Sequence, residues 1–380
     1  MPHSSILSFS FKKEAWSFWA VTGLIFLLFL GVFEHVLYHV GETISYAQVI
    51  QDQQQTNALY SPKFFNVQKD YKILGIKARR PQILAMGTSR IMPMRQNHFS
   101  DGIVFYNAGV DASSSGEIDG MREMLQELKT EELPKVIIWG IDPWIFNPHY
   151  PPNLQSFKQQ FLEGINRQAI LRGLYDFYQF VDGRLKAYDL LVKEKKNWLK
   201  FLLGNDTQEA AGIGLNAKFF HTGFAVDGSF IYPSAQQDDV PKTALQWQEY
   251  LRDDRYRFAS ADRLDEAAMQ KLYGFLQYCH ERGIVVIGLL LPFRPDFFQA
   301  LNQDASFAPF FKKFREEIPR AMRRFYFNCY DYSSPDSLDL SSASFIDNNH
   351  MKPAGFDKIC RKIEKDWNGV TGIFLSSSKP

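Results

Sequence analysis

Ile83-Leu84-Ala85-Met86-Gly87-Thr88-Ser89-Arg90 is a short apolar run that stops at a glycine and carries a serine just past it. An unbroken apolar run of this length fits a strand buried on both faces, as in a parallel sheet covered by helices. Gly87-Thr88-Ser89 then reads as a tight turn at the carboxyl end of that strand. The same rhythm continues outward. Ile103 to Tyr106 is a second apolar run, ending in Asn107-Ala108-Gly109, and Ser115 to Leu128 places Ile118, Met121, Met124, Leu125 and Leu128 at helical spacing. Val136 to Trp139 is a third run, ending in Gly140-Ile141-Asp142. Asp262 to Arg282 predicts a helix stopped by Gly283, followed by the run Ile284 to Leu291 and its breaker Pro292. Arg324 to Tyr332 is a fifth strand, and Pro353 to Trp367 a final helix with proline in its first turn. Alternating strands and helices predict an α/β chain: a three-layer sandwich around an open, mostly parallel sheet.

The chemistry collects at one end of that sheet. Ligands of open α/β sheets bind beyond the carboxyl ends of the strands. Ser89, Gly109, Asp142 and Arg294 each follow a predicted strand, and Phe345-Ile346-Asp347-Asn348-Asn349-His350-Met351-Lys352-Pro353 puts Asp347 and His350 on the loop before the last helix. A serine hydroxyl becomes a useful nucleophile when a histidine takes its proton, and that histidine needs a carboxylate to orient it. Ser89, Asp347 and His350 supply these three types in the order Ser, Asp, His. Gly-Thr-Ser alone and Asp-x-x-His alone are weak signals; their joint placement on one sheet edge carries the prediction. The hydrolase elbow Gly-x-Ser-x-Gly is absent, because position 91 is Ile91.

Composition narrows the alternatives. The chain has 380 residues, 45% hydrophobic and 22% charged, with a net charge of +1 that offers no case for nucleic-acid binding. Cys279, Cys329 and Cys360 lack metal-ligand spacing, so neither a metal nor a cofactor is predicted. Phe18 to Phe33 is uncharged and rich in Leu, Phe, Ile and Val, with Trp16 and Trp19 at one edge and Tyr38 past the other. With its flanks it approaches the about 20 residues of a spanning helix, and Lys12 and Lys13 precede it. This predicts one N-terminal transmembrane helix in the inner (plasma) membrane, with a cytoplasmic N-terminus and an extracytoplasmic domain. A cleaved signal peptide fits less well, because Ser45-Tyr46-Ala47 lies far beyond the apolar run. The expected organisation is a tail and anchor over 1–40, a connector over 41–80, and a domain over 81–380. A large helical insertion over about 148–259 interrupts that domain, with helices at Phe157 to Tyr178 and Gly183 to Leu203.

The nucleophile block Gly87-Thr88-Ser89, the glycine block Asn107-Ala108-Gly109 and the terminal Asp347-Asn348-Asn349-His350 resemble those of the SGNH (GDSL-like) hydrolase superfamily over roughly residues 81 to 368. Within it the chain is most similar to the membrane-anchored branch of alginate O-acetylation proteins and the D-alanyl-lipoteichoic-acid protein. The resemblance implies a flavodoxin-like SGNH fold, a nucleophile Ser89, a base His350 and an orienting Asp347. It also implies an oxyanion hole from the backbone N–H groups of Ser89 and Gly109. The family's asparagine block departs here to Gly140-Ile141-Asp142-Pro143-Trp144, which leaves the nearby Asn147 as candidate third donor. Arg90, Asp142, Arg294 and Lys352 are expected around the substrate, with Asp142 alternatively paired to Arg90. Trp144, Phe146, Tyr150 and Phe293 are candidates for sugar stacking, with core packing as the alternative. The implied activity is O-acyl transfer, chiefly acetyl, to a cell-envelope polysaccharide, with a membrane-bound O-acyltransferase as partner. A carbohydrate esterase or a non-catalytic subunit of an envelope complex is the alternative.

Overall fold

The computed structural model describes residues 6–63, 69–110, 116–150, 212–232, 247–254 and 256–366. The expected insertion helices at Phe157 to Tyr178 and Gly183 to Leu203 lie outside the described residues.

Five strands form one all-parallel sheet: β2 (Ile83–Gly87), β3 (Phe105–Asn107), β4 (Val136–Ile141), β8 (Val285–Leu290) and β9 (Asn328–Asp331). Their order across the sheet is β3-β2-β4-β8-β9. The chain therefore goes outward from β2 to β3, then crosses back to β4 on the other side. Such a reversal opens a crevice between the strands where the order switches, here β2 and β4, at their carboxyl ends. The register Gly87↔Gly140 places the two strand ends level. Gly87 holds φ +132°, and a Cβ there would lie 2.5 Å from the Gly140 carbonyl oxygen, so the turn into Ser89 requires glycine.

Alternation along each strand divides the core. Leu84, Met86, Ile137, Trp139, Val286 and Leu290 point to one face. That face is covered by α3 (Lys69–Arg79), α4 (Gly116–Gln126), α6 (Glu266–Glu281), α7 (Pro295–Gln303) and α8 (Ala308–Arg323). Ile83, Ala85, Val136, Ile138, Ile287 and Leu289 point to the other face, against α9 (Pro353–Asp366) and the loops that follow β2 and β9. Helix α6 starts where the Asp265 side chain accepts from Ala268 N, a later start than the sequence pattern predicts. The fifth strand is likewise shorter than expected, because Arg324 to Phe327 still close the turn after α8 through bonds to the Ala321, Met322 and Arg323 carbonyls.

A second, mixed sheet has the order β5-β1-β6-β7, from Leu59–Tyr60 (β1), Gly212–Ile213 (β5), Gly223–Phe224 (β6) and Phe230–Ile231 (β7). It joins the expected connector to the insertion, in which α5 (Leu215–Phe220) follows β5. Gln53, on α2 (Tyr46–Thr56), is buried and donates to the carbonyls of Ala58 and Phe224, while Tyr71 of α3 donates to its Oε1. The described residues of the expected connector thus supply a strand to this sheet and a buried side chain, Gln53, that bonds across it.

The expectation of a membrane anchor is overturned. Helix α1 (Ile6–Val40) covers the apolar run, yet among the described residues no helix is long and apolar enough to cross a membrane. The carboxyl end of α1 is instead used in packing. Leu37 and Val40 are buried, the Val40 carbonyl accepts from Gly214 N, and Glu42 accepts from Lys63 N and Leu215 N. The single-pass inner-membrane placement falls with the anchor. Trp16, Phe18, Leu24 and Leu28, farther along α1, are exposed.

Candidate active site

Ser89, Asp347 and His350 come together at the carboxyl edge of the parallel sheet, although Ser89 and His350 are 261 positions apart. Ser89 Oγ lies 2.8 Å from His350 Nε2, and His350 Nδ1 lies 2.7 Å from Asp347 Oδ2. The loop that carries the acid and base closes on itself. Phe345 and Met351 form an isolated antiparallel bridge, Ile346 N donates to the His350 carbonyl, and Asp347 Oδ1 accepts from Asn349 N and His350 N.

These bonds fix the proton positions. Burial pushes the Asp347 carboxyl up, but the His350 charge, its ring hydrogen bond and the two backbone donors together hold it below the usual carboxylate range. An ionised carboxylate only accepts, so His350 Nδ1 carries the proton and donates to it. In the neutral ring Nε2 then presents its lone pair to the Ser89 hydroxyl, the arrangement a general base requires.

Arg90 is buried behind Ser89 and is a structural clamp rather than a surface cation. Its Nη1 donates to Asp142 Oδ1 at 2.6 Å, Nε to the Asn349 carbonyl at 3.0 Å, and Nη2 to the Leu291 and Pro292 carbonyls, each at 2.8 Å. The guanidinium also lies 4.0 Å over the Phe293 ring. One side chain therefore ties the ends of β2, β4 and β8 to the His350 loop. Asp142, 0% exposed, spends its other oxygen on the Thr88 hydroxyl. It is neutralised by Arg90 and does not face a substrate. Burial draws the Arg90 pKa down while Asp142 holds it up, and a guanidinium starts high enough to stay charged.

The remaining predicted residues divide. Arg294 is buried, pairs with Asp296, and uses its backbone N–H on the Asn348 carbonyl, which ties β8 to the His350 loop a second time. Lys352 is half-buried, and among the described residues its side chain makes no hydrogen bond or ion pair. The oxyanion set is not assembled as expected. The Ser89 N–H makes no hydrogen bond among the described residues, but Gly109 N donates to Asn107 Oδ1 at 2.9 Å. Asn147 turns away altogether: its Nδ2 donates to the Ala259 carbonyl and its Oδ1 accepts from His149 N. Trp144, Phe146 and Phe293 are buried in the core and Tyr150 packs against it, which removes them as sugar platforms. Among the described residues no group of His, Cys, Asp or Glu is placed to hold a metal ion.

No family model matches the chain, and no curated protein matches it.

Sequence reasoning passed over four residues at this edge. Asn107 is 0% exposed, and its Nδ2 donates to the carbonyls of Ile91, Met92 and Met94, holding the loop after Ser89. Thr88 braces Asp142. Glu117, at the start of α4, is buried, and among the described residues neither carboxyl oxygen is hydrogen-bonded. Burial first and the Asp142 charge second push its pKa well above the usual range; the Trp139 indole offsets part of this without forming a proper hydrogen bond. Tyr232 reaches in from the insertion: its hydroxyl donates to the Ser89 carbonyl at 3.2 Å, and its ring lies 5.5 Å from that of His350. A signal for Tyr232 was present. Asp227-Gly228 between Phe224 and Phe230 marks a hairpin turn.

Proposed function

We propose that this chain is an SGNH-type serine O-acyltransferase, working through an acyl-enzyme on Ser89. The observation that carries the reading is the continuous contact from Ser89 Oγ to His350 Nε2 and from His350 Nδ1 to Asp347. Ser89 Oγ attacks the carbonyl carbon of an acyl donor while its proton passes to His350 Nε2. The resulting alkoxide-like oxygen is met by the Ser89 N–H. Collapse breaks the bond to the leaving group, which takes the proton back from His350. An acceptor hydroxyl then repeats the sequence in reverse and carries the acyl group away.

The acceptor class proposed is a glycan hydroxyl, with acetyl as the transferred group and a membrane-bound O-acyltransferase as the partner that supplies it. Lys352, whose side chain makes no hydrogen bond or ion pair among the described residues, is a cation suited to an anionic polymer or donor. Water in place of the glycan makes the same site an esterase. The commitment of Gly109 N–H to Asn107 leaves one backbone donor for the oxyanion, and one missing donor costs about 10²–10³ in rate, which favours slow hydrolysis. The pairing of Asp142 with Arg90 removes the repulsive charge that would have favoured a non-catalytic role.

The test is intact-protein mass spectrometry of the full chain after exposure to an activated acetyl ester. One acetyl adduct on wild type, absent from Ser89→Ala and His350→Ala, is the expected result. Equal adducts on wild type and Ser89→Ala, or none on any, would overturn the reading.

A further inference from the structure

Tyr232 is placed by several buried bonds rather than by chance contact. The β6–β7 hairpin that ends in it is fixed to the sheet at its turn: Asn107 N donates to the Asp227 carbonyl at 2.7 Å, and Lys72 Nζ to the Gly228 carbonyl at 2.7 Å. Phe230 N donates to the Met92 carbonyl, within the loop that leaves Ser89. Phe224, Phe230 and Tyr232 then follow one another with ring centroids 5.0 Å apart at each step, and His350 continues the row at 5.5 Å with a 44° tilt.

The two ends of Tyr232 meet two different needs of the site. An imidazole that must present Nδ1 to Asp347 and Nε2 to Ser89 works only while its plane is held. A ring packed beside it resists rotation and keeps water from the Nδ1–H bond. The hydroxyl, bonded to the Ser89 carbonyl, fixes the turn that aims Oγ. We infer that Tyr232 is a positioning residue for the Ser89–His350 pair, so that the segment returning from the insertion completes the catalytic centre. The inference rests on the acyl-enzyme reading for its kinetic consequence and on geometry alone for its effect on His350.

Two measurements on the full chain separate these. The first follows acylation by a small activated acetyl ester, resolving kcat from KM. Tyr232→Leu is expected to lower kcat about 30- to 100-fold with KM and melting temperature little changed, since a misplacement near 1 Å costs about 10²-fold. Tyr232→Phe, which keeps the ring, is expected to lose only about 5-fold, the size of one net hydrogen bond. The second is proton NMR of the downfield His350 Nδ1–H, whose exchange with water should accelerate in Tyr232→Leu and hold in Tyr232→Phe. Acylation and exchange both at wild-type values in Tyr232→Leu would overturn the role of Tyr232 and leave the acyl-enzyme intact. Faster exchange in Tyr232→Leu, in a wild type that is never acylated, would keep the role and overturn the acyl-enzyme.

Discussion

Arg90 and Lys72 are both buried cations at the carboxyl edge of the parallel sheet, and they are kept in opposite ways. Arg90 faces a carboxylate, three carbonyls and an aromatic ring. Lys72 faces the neutral carbonyls of Asn107 and Gly228 and lies 4.0 Å over the Phe224 ring. Burial lowers the Lys72 pKa well below the usual lysine range, and the charge of Asp227 opposes it only in part. The two clusters do different jobs. The Arg90 cluster joins four loops around the nucleophile and needs a permanent charge to do so. The Lys72 cluster bolts the hairpin of the insertion to the sheet, and two directed N–H donors suffice.

The sharpest way to break the comparison is to strand each cation. Asp142→Ala leaves Arg90 buried without its counter-ion, and a loss of about 3–5 kcal/mol in urea unfolding is expected, together with loss of Ser89 acylation. The double variant Arg90→Met, Asp142→Leu should recover most of that stability and none of the acylation, because nothing then ties the Ser89 turn to the His350 loop. Full activity and unchanged melting in Asp142→Ala would show that the clamp has no role. Lys72→Met should cost less, about 1–3 kcal/mol, from the two carbonyls left unpaired. It should also change the slope of stability against pH. The unfolded chain binds the lysine proton up to about pH 10.4, above the folded value, so wild-type stability rises with pH through that window. A slope in Lys72→Met identical to wild type would mean that Lys72 keeps its proton in the fold.

Glu117 sharpens the contrast with the smallest effect. It is the buried acid at this edge whose oxygens lack a hydrogen bond, and Asp142 beside it already has its cation. Below about pH 4 both folded and unfolded states hold its proton; as pH rises the unfolded chain releases it first, so stability falls. Glu117→Gln should therefore gain on the order of 1 kcal/mol at pH 8 and nothing at pH 4. A loss at pH 8 would mean that the carboxylate has a partner when ionised.

These differences explain what could be read in the sequence. The strands around Ile83, Val136 and Ile284 were legible because a strand covered on both faces must be apolar at every position. Ser89, Asp347 and His350 were legible as residue types because each sits on a local turn motif. Their partners were not. The Arg90–Asp142 pair was open as an alternative, but the carbonyls of Asn349, Leu291 and Pro292 that complete the Arg90 cluster carry no sequence signal, because any residue supplies a carbonyl. Gly109 looks like a free donor until the Asn107 side chain, two residues away, takes its N–H. Helix α8 was overlooked despite Phe307, Phe310, Phe311, Phe314 and Ile318 at helical spacing, and the two-residue strands of the mixed sheet are too short to leave a pattern. The packing of the carboxyl end of α1 depends on Gly214 and Leu215, more than 170 positions away, and leaves no local signal.

The distance along the chain between Ser89 and His350, 261 positions, has a consequence for synthesis. At about 5–20 residues per second, the serine leaves the ribosome roughly 10–50 s before its base. Through that interval Ser89 has no histidine to take its proton, so on the proposed mechanism its reactivity waits for the last part of the chain to be made.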